Sequence, residues 1–195
     1  MSDLERLFNK GTSIAHCPLS NMYFSAKPFP LREALDQHVK VGLGTDVAGG
    51  YSLDIMNAMR QAVAVSRIRE GERVLKGGPQ SQNLSVDWKE SLFLATRGGS
   101  VALGLEGMFK VGVPFDAQES KCLNKIIEDN FDMFRAVRLF DPMIGSSFGS
   151  LEYFESDDGM EYLKLTPEII EKWWCIGDTR NRGRLWVQGR QVKDA

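Results

Sequence analysis

The stretch VGLGTDVAGG, residues 41–50, is the part of this sequence that points most clearly to a fold. It begins as a short apolar strand, reaches a carboxylate at Asp46, and continues as a loop of small residues that leads into a long helix from Ser52. In (β/α) barrels the catalytic groups lie at the carboxyl ends of the strands, and Asp46 stands at such a position. Glycine lets the backbone approach a ligand closely, at a cost in chain entropy. The stretch therefore makes Asp46 the first candidate for an active-site residue.

Two other roles are open for the same loop: it could bind a nucleotide, or it could serve only as a turn. A dinucleotide-binding GxGxxG turn requires a glycine three residues after Gly44, and Val47 stands there. A phosphate-binding GxxxxGK[ST] motif does not follow either. A lone aspartate in a loop is more often a turn-capping residue than a catalytic one, so that role for Asp46 stays open.

A second strand end, SIAHCPLSN at residues 13–21, has the same character. An apolar run reaches His16, and serine and asparagine follow within five residues, up to Asn21. His16 fits either a hydrogen-bonding group that faces a ligand or a satisfied histidine at the end of a strand. The other histidine of the sequence, His38, is predicted on an amphipathic helix at or near the surface.

Strand and helix patterns alternate through the first part of the chain. β-type runs are predicted at 12–17 and 39–44, and helical patterns at 2–10, 31–38, 52–69 and 87–97, with Gly98-Gly99-Ser100 before a last short helical run to Leu105. This order is typical of a parallel sheet with helices on both faces. Two parallel strands cannot close or cover a sheet, so we expect a partner or further strands to complete it.

The pattern changes after residue 113. Four elements are predicted there: a strand at 115–118, a hairpin within 150–165, a helix from Thr166, and a terminal hairpin that turns at Gln188-Gly189. The helix start is marked by Thr166-Pro167-Glu168, which supplies a capping residue, a proline at the first position and an acid in the first turn. We therefore divide the chain into residues 1–113 and residues 114–195.

Composition narrows the class of function. The chain has 24 Lys+Arg against 26 Asp+Glu and a net charge of -2, which lacks the basic excess of a nucleic-acid binder. A hydrophobic share of 43% is enough to form a core. The three cysteines are widely spaced, which argues against a disulfide framework and against a closed zinc site. With no apolar run of membrane-spanning length, we expect a cytoplasmic protein that binds small molecules or other protein surfaces, with no nucleic-acid or membrane partner.

Four motifs together resemble the guanine deaminases of the amidohydrolase superfamily. They are Ile14-Ala15-His16-Cys17-Pro18-x-Ser20-Asn21, residues 42–52 (GLGTDVAGGYS), residues 94–105 (LATRGGSVALGL), and Gly177-Asp178-x-Arg180-Asn181 followed by Val187-x-Gly189-x-x-Val192. The resemblance covers nearly the whole chain and is weakest at 119–165. The run GLGTDVAGGYS is specific, whereas AHCPxSN is shared with related deaminases and chlorohydrolases.

The resemblance implies a zinc-dependent hydrolysis of guanine to xanthine and ammonia on a (β/α)8 barrel flanked by a small β domain. Zinc lowers the pKa of bound water from ~15.7 to about 7, which supplies a hydroxide at neutral pH. Asp46 corresponds to the family's aspartate at the end of strand 8, which is both a metal ligand and a catalytic proton carrier. His16 corresponds to the end of strand 7 and Asn21 to the loop after it, so both are candidate substrate-pocket residues.

Much of the family's site has no counterpart in this sequence. The sequence lacks the family's His-x-His of strand 1, the metal histidines of strands 5 and 6, the catalytic glutamate and the Arg-Phe pair that recognises guanine. Its only histidines are His16 and His38. A catalytic zinc site takes about three protein ligands, and the resemblance assigns one here, Asp46. We therefore expect a C-terminal fragment of a guanine deaminase, inactive alone. Its expected fold class is α/β: an incomplete (β/α)8 TIM-type barrel with the last two βα units in residues 1–113, and a C-terminal extension in 114–195.

Two other functions stay open. The chain could be a non-catalytic remnant that acts as a binding or regulatory module, for instance by docking on a full-length enzyme. It could also be a fragment of a related amidohydrolase that acts on another aminated heterocycle, because the residues that recognise guanine are not in this sequence. The resemblance further implies a homodimer, which is common in the family.

Overall fold

The structure is a computed structural model, and it describes residues 2–25, 27–47, 49–112, 115–120 and 166–193. Along these ranges the elements follow in the order α1 (Asp3–Asn9), β1 (Ser13–His16), α2 (Pro18–Phe24), α3 (Leu31–Asp36), β2 (Lys40–Leu43), α4 (Ile55–Leu75), α5 (Trp88–Ala95), α6 (Arg97–Ala102), β3 (Ala117–Ser120), α7 (Pro167–Ile176), a 3₁₀ turn (Thr179–Asn181), β4 (Arg182–Val187) and β5 (Arg190–Lys193). The hairpin predicted within 150–165 lies outside the described residues.

The two predicted strands of the first part pair in parallel. Ser13 lies opposite Lys40 and His16 lies opposite Leu43, so β1 and β2 end at the same edge of the sheet. The alternation of strand and helix read from the sequence is confirmed over this part. Its consequence for the site is that the segments after His16 and after Leu43 begin side by side.

Helix α6 covers the sheet because glycines let the two backbones approach. A Cβ built on Gly42 of β2 would lie 2.9 Å from the Cα atom of Gly99 in α6. The prediction that Gly98-Gly99-Ser100 precedes a helix is wrong, since these residues lie within α6. Glycine lowers helix propensity. Here a side chain on Gly42 would meet the backbone of Gly99 and force the helix away from the sheet.

The long helix starts and ends later than the sequence suggested. Asp54, rather than Ser52, is the N-cap: its side chain accepts a hydrogen bond from the backbone N–H of Met56, and Ser52 in turn accepts one from the N–H of Asp54. The helix also continues beyond residue 69, where the predicted helix ends, through Gly71 to Leu75. A mid-helix glycine costs only about 1 kcal/mol, which the packing of a 21-residue helix outweighs.

The core joins both parts of the described chain. Its buried members are Leu31, Ala34, Val39, Val41, Met59, Ala62, Val63, Val86, Leu94 and Trp174. Trp174 belongs to α7, which therefore packs into the core formed by the earlier helices and β2. Arg60 of α4 reinforces this contact, because its guanidinium donates to the carbonyl oxygens of Trp174, at 2.9 Å, and Gly177, at 2.5 Å.

The helix and the terminal hairpin predicted for the C-terminal part are confirmed, and the strand predicted at 115–118 lies two residues later, at Ala117–Ser120. Thr166 caps α7 and Pro167 occupies its first turn. Strands β4 and β5 form the terminal hairpin, with Gln188 and Gly189 at φ values of 49° and 77°, as a tight hairpin turn requires. Strand β3 pairs with β4 in antiparallel orientation. Within the described ranges, no helix combines the length and apolar character needed to cross a membrane.

Candidate functional site

The carboxyl ends of β1 and β2 open onto one cleft of about 400 Å³. All three site residues predicted from the sequence, His16, Asn21 and Asp46, line this cleft. They come from different segments: His16 ends β1, Asn21 lies in α2, and Asp46 lies three residues after β2. The parallel pairing of the strands is therefore what brings the three side chains together.

Asp46 stands at the cleft on a backbone of unusual shape. Its φ angle is 49°, in the left-handed region, which aspartate tolerates better than most residues. Its carbonyl oxygen accepts hydrogen bonds from the N–H groups of Gly49, at 2.8 Å, and Gly50, at 2.7 Å. The Asp46 side chain is exposed. The loop thus holds a carboxylate in reach of solvent and ligand, with its backbone fixed by the glycines that follow.

Gly49 leaves the room that the carboxylate of Asp46 occupies. A Cβ built on Gly49 would lie 2.7 Å from the Asp46 Cγ atom and closer still to Oδ2. No protein atom occupies such a position without something moving. The glycine is therefore a steric requirement for the observed direction of the carboxylate.

Gly49→Ala is expected to force the exposed Asp46 carboxylate out of its observed direction and to lower the free energy of unfolding by about 0.5–1.5 kcal/mol, the usual cost of holding a side chain off its preferred rotamer. The same substitution in an Asp46→Gly background should cost much less, because the clashing carboxylate is gone. Urea unfolding of the four proteins of this cycle measures the difference. An equal cost of Gly49→Ala in both backgrounds would show that the methyl group does not meet Asp46.

His16 is a buried, uncharged member of the cleft. Its side chain is only 4% exposed, and its ring packs on Phe29 with 4.9 Å between ring centroids and 38° between planes. Burial lowers the pKa of His16 to about 4. At neutral pH the imidazole is therefore neutral, so it can form hydrogen bonds to an uncharged ligand but supplies no positive charge.

The lowered pKa of His16 makes the free energy of unfolding depend on pH. Because the folded-state pKa of about 4 lies below the ordinary 6.5, the unfolded chain binds the proton more readily between these values. The free energy of unfolding should therefore fall as the pH drops below about 6.5, by about 2 kcal/mol between pH 7 and pH 5 from this group. Urea unfolding at both pH values checks this: His16→Gln should remove that part of the pH dependence, and His38→Gln should leave it. An unchanged dependence in His16→Gln contradicts the neutral, buried state.

Asn21 and Cys17, which also line the cleft, interact with other groups of this chain. Asn21 accepts a hydrogen bond at Oδ1 from the backbone N–H of Phe29, at 2.8 Å, and donates from Nδ2 to Ser25 Oγ, at 3.3 Å. Burial and the negative charge of Asp46 raise the pKa of the Cys17 thiol, which keeps it protonated and a poor nucleophile. The side chains of Asn21 and Cys17 therefore shape the cleft more than they offer reactive groups to it.

The sequence interpretation missed Phe29, which forms a wall of this cleft. The signal for it was local: Phe29 stands between Pro28 and Pro30, and two fixed φ angles hold the residue between them in a defined extended position. Such a rigid loop holds an aromatic residue eight positions after the polar Asn21. This arrangement indicates a structural role for the loop.

The described residues do not form a zinc site by themselves. Within the ranges that the structure covers, no group of three or more His, Cys, Asp or Glu side chains is placed to hold a metal ion. A catalytic zinc needs about three protein ligands and an open position. Asp46 is a suitable single ligand, since it is an exposed carboxylate at the cleft, and His16 is turned to its aromatic neighbour.

Comparison of the sequence with known proteins identifies the family of this chain. The model of the amidohydrolase family matches residues 1–138. Human guanine deaminase is 37% identical over 194 residues, which are 97% of this chain and 36% of the human protein. The chain thus spans little more than a third of the length of this relative.

Solved structures agree at the level of the fold. The guanine deaminase of C. acetobutylicum, with guanine bound in its active site, superposes with a TM-score of 0.66 at 21% identity, over 99% of this chain and 37% of that one. An adenosine deaminase from Xanthomonas campestris with bound zinc gives a TM-score of 0.60 at 17% identity, over 98% and 34%. With the family model matching residues 1–138 and relatives aligned along nearly the whole chain, the protein belongs to the amidohydrolase family.

Proposed function

We propose that this chain supplies the Asp46 part of a guanine deaminase active site, which hydrolyses guanine to xanthine and ammonia. The observation that carries the proposal is that the GLGTD carboxylate of Asp46 and the buried imidazole of His16 line one cleft at the ends of two parallel strands. The 37% identity to human guanine deaminase along 97% of the chain supports this substrate. The activity belongs to a larger assembly of which this chain is one part.

The fold proposal is correspondingly specific. Residues 1–113 are the last two βα units of a (β/α)8 barrel, with β1 and β2 as its strands 7 and 8, and residues 114–195 are a C-terminal extension. The parallel register of β1 and β2 and the helices that cover them support this arrangement. Further strands beside these two would complete the wall of the cleft.

Within the site Asp46 is the group that moves protons. Its exposed carboxylate takes a proton from the water that adds to the amino-bearing ring carbon and gives it to the amino group, which leaves as ammonia when the C–N bond breaks. The water oxygen stays on the ring carbon as the carbonyl, and its second proton passes to the adjacent ring nitrogen. The neutral His16 and the Phe29 ring form an uncharged boundary for the purine. Zinc supplies an activated water in the family, and Asp46 is the one ligand for it that the described residues offer, so the other ligands lie in another part of the assembly.

A binding module without catalysis is the second candidate. It is favoured by one observation: the whole 195-residue sequence has two histidines, too few for the family's metal site. Such a module would dock on a complete enzyme without taking part in the reaction. Homodimer formation and a cytoplasmic location are further proposals that rest on the family resemblance, and sedimentation of the purified chain tests the first.

Fragment complementation distinguishes the two candidates. The chain is mixed with zinc and with the part of human guanine deaminase that lies outside the match to it, and xanthine formation is followed. We expect activity that needs both pieces, in support of the proposed function. If the two pieces form a stable complex without turning over guanine, the binding module is correct instead.

A further inference from the structure

Two hydrogen bonds tie the carboxamide of Asn21 to the loop that follows α2. Oδ1 accepts from the backbone N–H of Phe29 at 2.8 Å, and Nδ2 donates to Ser25 Oγ at 3.3 Å. The backbone of Asn21 is itself held in α2, since its N–H donates to the carbonyl of Cys17 at 3.0 Å. The side chain therefore links α2 to Phe29, eight positions further along the chain.

The loop held in this way carries the aromatic neighbour of His16. The ring of Phe29 lies 4.9 Å from the His16 ring and tilted by 38°, a favourable geometry for an aromatic pair. Both rings line the cleft. The backbone of Phe29 is held on both sides, because its N–H donates to Asn21 and its carbonyl accepts from the N–H of Leu31 at 2.9 Å. The position of the ring thus depends on the hydrogen bond that the Phe29 N–H donates to Asn21.

We propose that Asn21 is a positioning residue: its carboxamide fixes the backbone of Phe29, which sets the Phe29 ring on His16 and builds an uncharged aromatic wall in the cleft. A flat, uncharged ring packs on such a wall, whereas an anionic group finds no partner there. The role of Asn21 is therefore indirect, since its polar atoms are used within the chain. This inference deepens the proposed function and rests on it only for the identity of the ring that binds.

The test uses the NMR signals of the imidazole C–H groups. The chain has two histidines, so a His38→Gln variant identifies the signals of His16. The nearby Phe29 ring shifts these signals, and Phe29→Leu gives the size of the shift that is lost when the ring is gone. We expect Asn21→Leu to lose most of that shift as well. Asn21→Asp keeps the acceptor for the Phe29 N–H, and Ser25→Ala removes only the weaker bond, so both should keep it.

The inference is overturned if Asn21→Leu leaves the His16 signals in place while Phe29→Leu moves them. Because Asn21→Leu could fail to fold, amide hydrogen exchange of the unsubstituted chain is a second measurement. The Phe29 amide should be protected there, and exchange at the rate of an open loop contradicts the inference. Neither readout requires turnover of guanine, so a failure of complementation counts against the proposed function and not against the role of Asn21.

Discussion

Asp46→Asn is expected to reduce guanine deamination in the complemented assembly by about 10³-fold or more. The amide keeps the size of the carboxylate but can neither carry a proton nor bind a metal ion with a full negative charge, and general acid–base catalysis alone contributes about 10²–10⁴-fold. Xanthine formation at saturating guanine measures the loss. The main effect should fall on kcat, because the role proposed for Asp46 is on the reacting atoms.

Asp36→Asn is the matched control for this experiment. Asp36 ends α3, away from the cleft, and its exposed carboxylate lies 3.7 Å from Arg32 in a surface ion pair. Surface pairs of this kind contribute little, so activity should stay within about two-fold of the unsubstituted chain. An Asp46→Asn chain that keeps most of its activity in the same assay would remove Asp46 from the mechanism.

Leu94→Ala is expected to destabilise the chain by about 2–5 kcal/mol. Leu94 is only 1% exposed and lies in α5, which packs on β2, α4, α6 and α7 together. Removing its branched end leaves a cavity that so many elements cannot close at once, and the cost follows the volume of that cavity. The midpoint and slope of urea unfolding give the change in free energy.

Leu75→Ala removes the same atoms from a side chain that is 88% exposed, at the end of α4. It should change the free energy of unfolding by less than about 0.5 kcal/mol. Equal losses in the two variants would mean that the described core does not hold the fold together. The contrast also matters for function, because β2, on which Leu94 packs, leads directly to Asp46.

The sequence predicted the structure best at positions where the residue type has one strong conformational preference. An apolar run that reaches glycine and then a carboxylate predicted the end of β2 and the position of Asp46. Residues that are adjacent in the sequence are enough to mark the end of a strand. The alternation around β1 and the Gln188-Gly189 turn were predictable for the same reason. All of these follow from residues next to one another in the chain.

Features that depend on distant residues were not predictable. Helix α2 is not among the predicted elements, although Pro18, directly after the β-type run at 12–17, suits the first turn of a helix. The use of Asn21 depends on Phe29 across the intervening loop, which no periodicity reports. The glycines of α6 look like a break in the sequence, and the close approach of Gly99 to Gly42 of β2 is a tertiary contact that a local pattern does not report.

Xanthine formation by the purified 195-residue chain alone, with zinc and guanine supplied, tests the central claim most directly. Among the described residues Asp46 is the one carboxylate that lines the cleft, and the whole sequence has only two histidines, whereas the reaction needs about three metal ligands. We therefore predict no conversion above that of the Asp46→Asn chain. Conversion at an enzymatic rate, on the order of 1 s⁻¹ or faster, would contradict the claim. It would mean that this chain forms a complete deaminase site by itself.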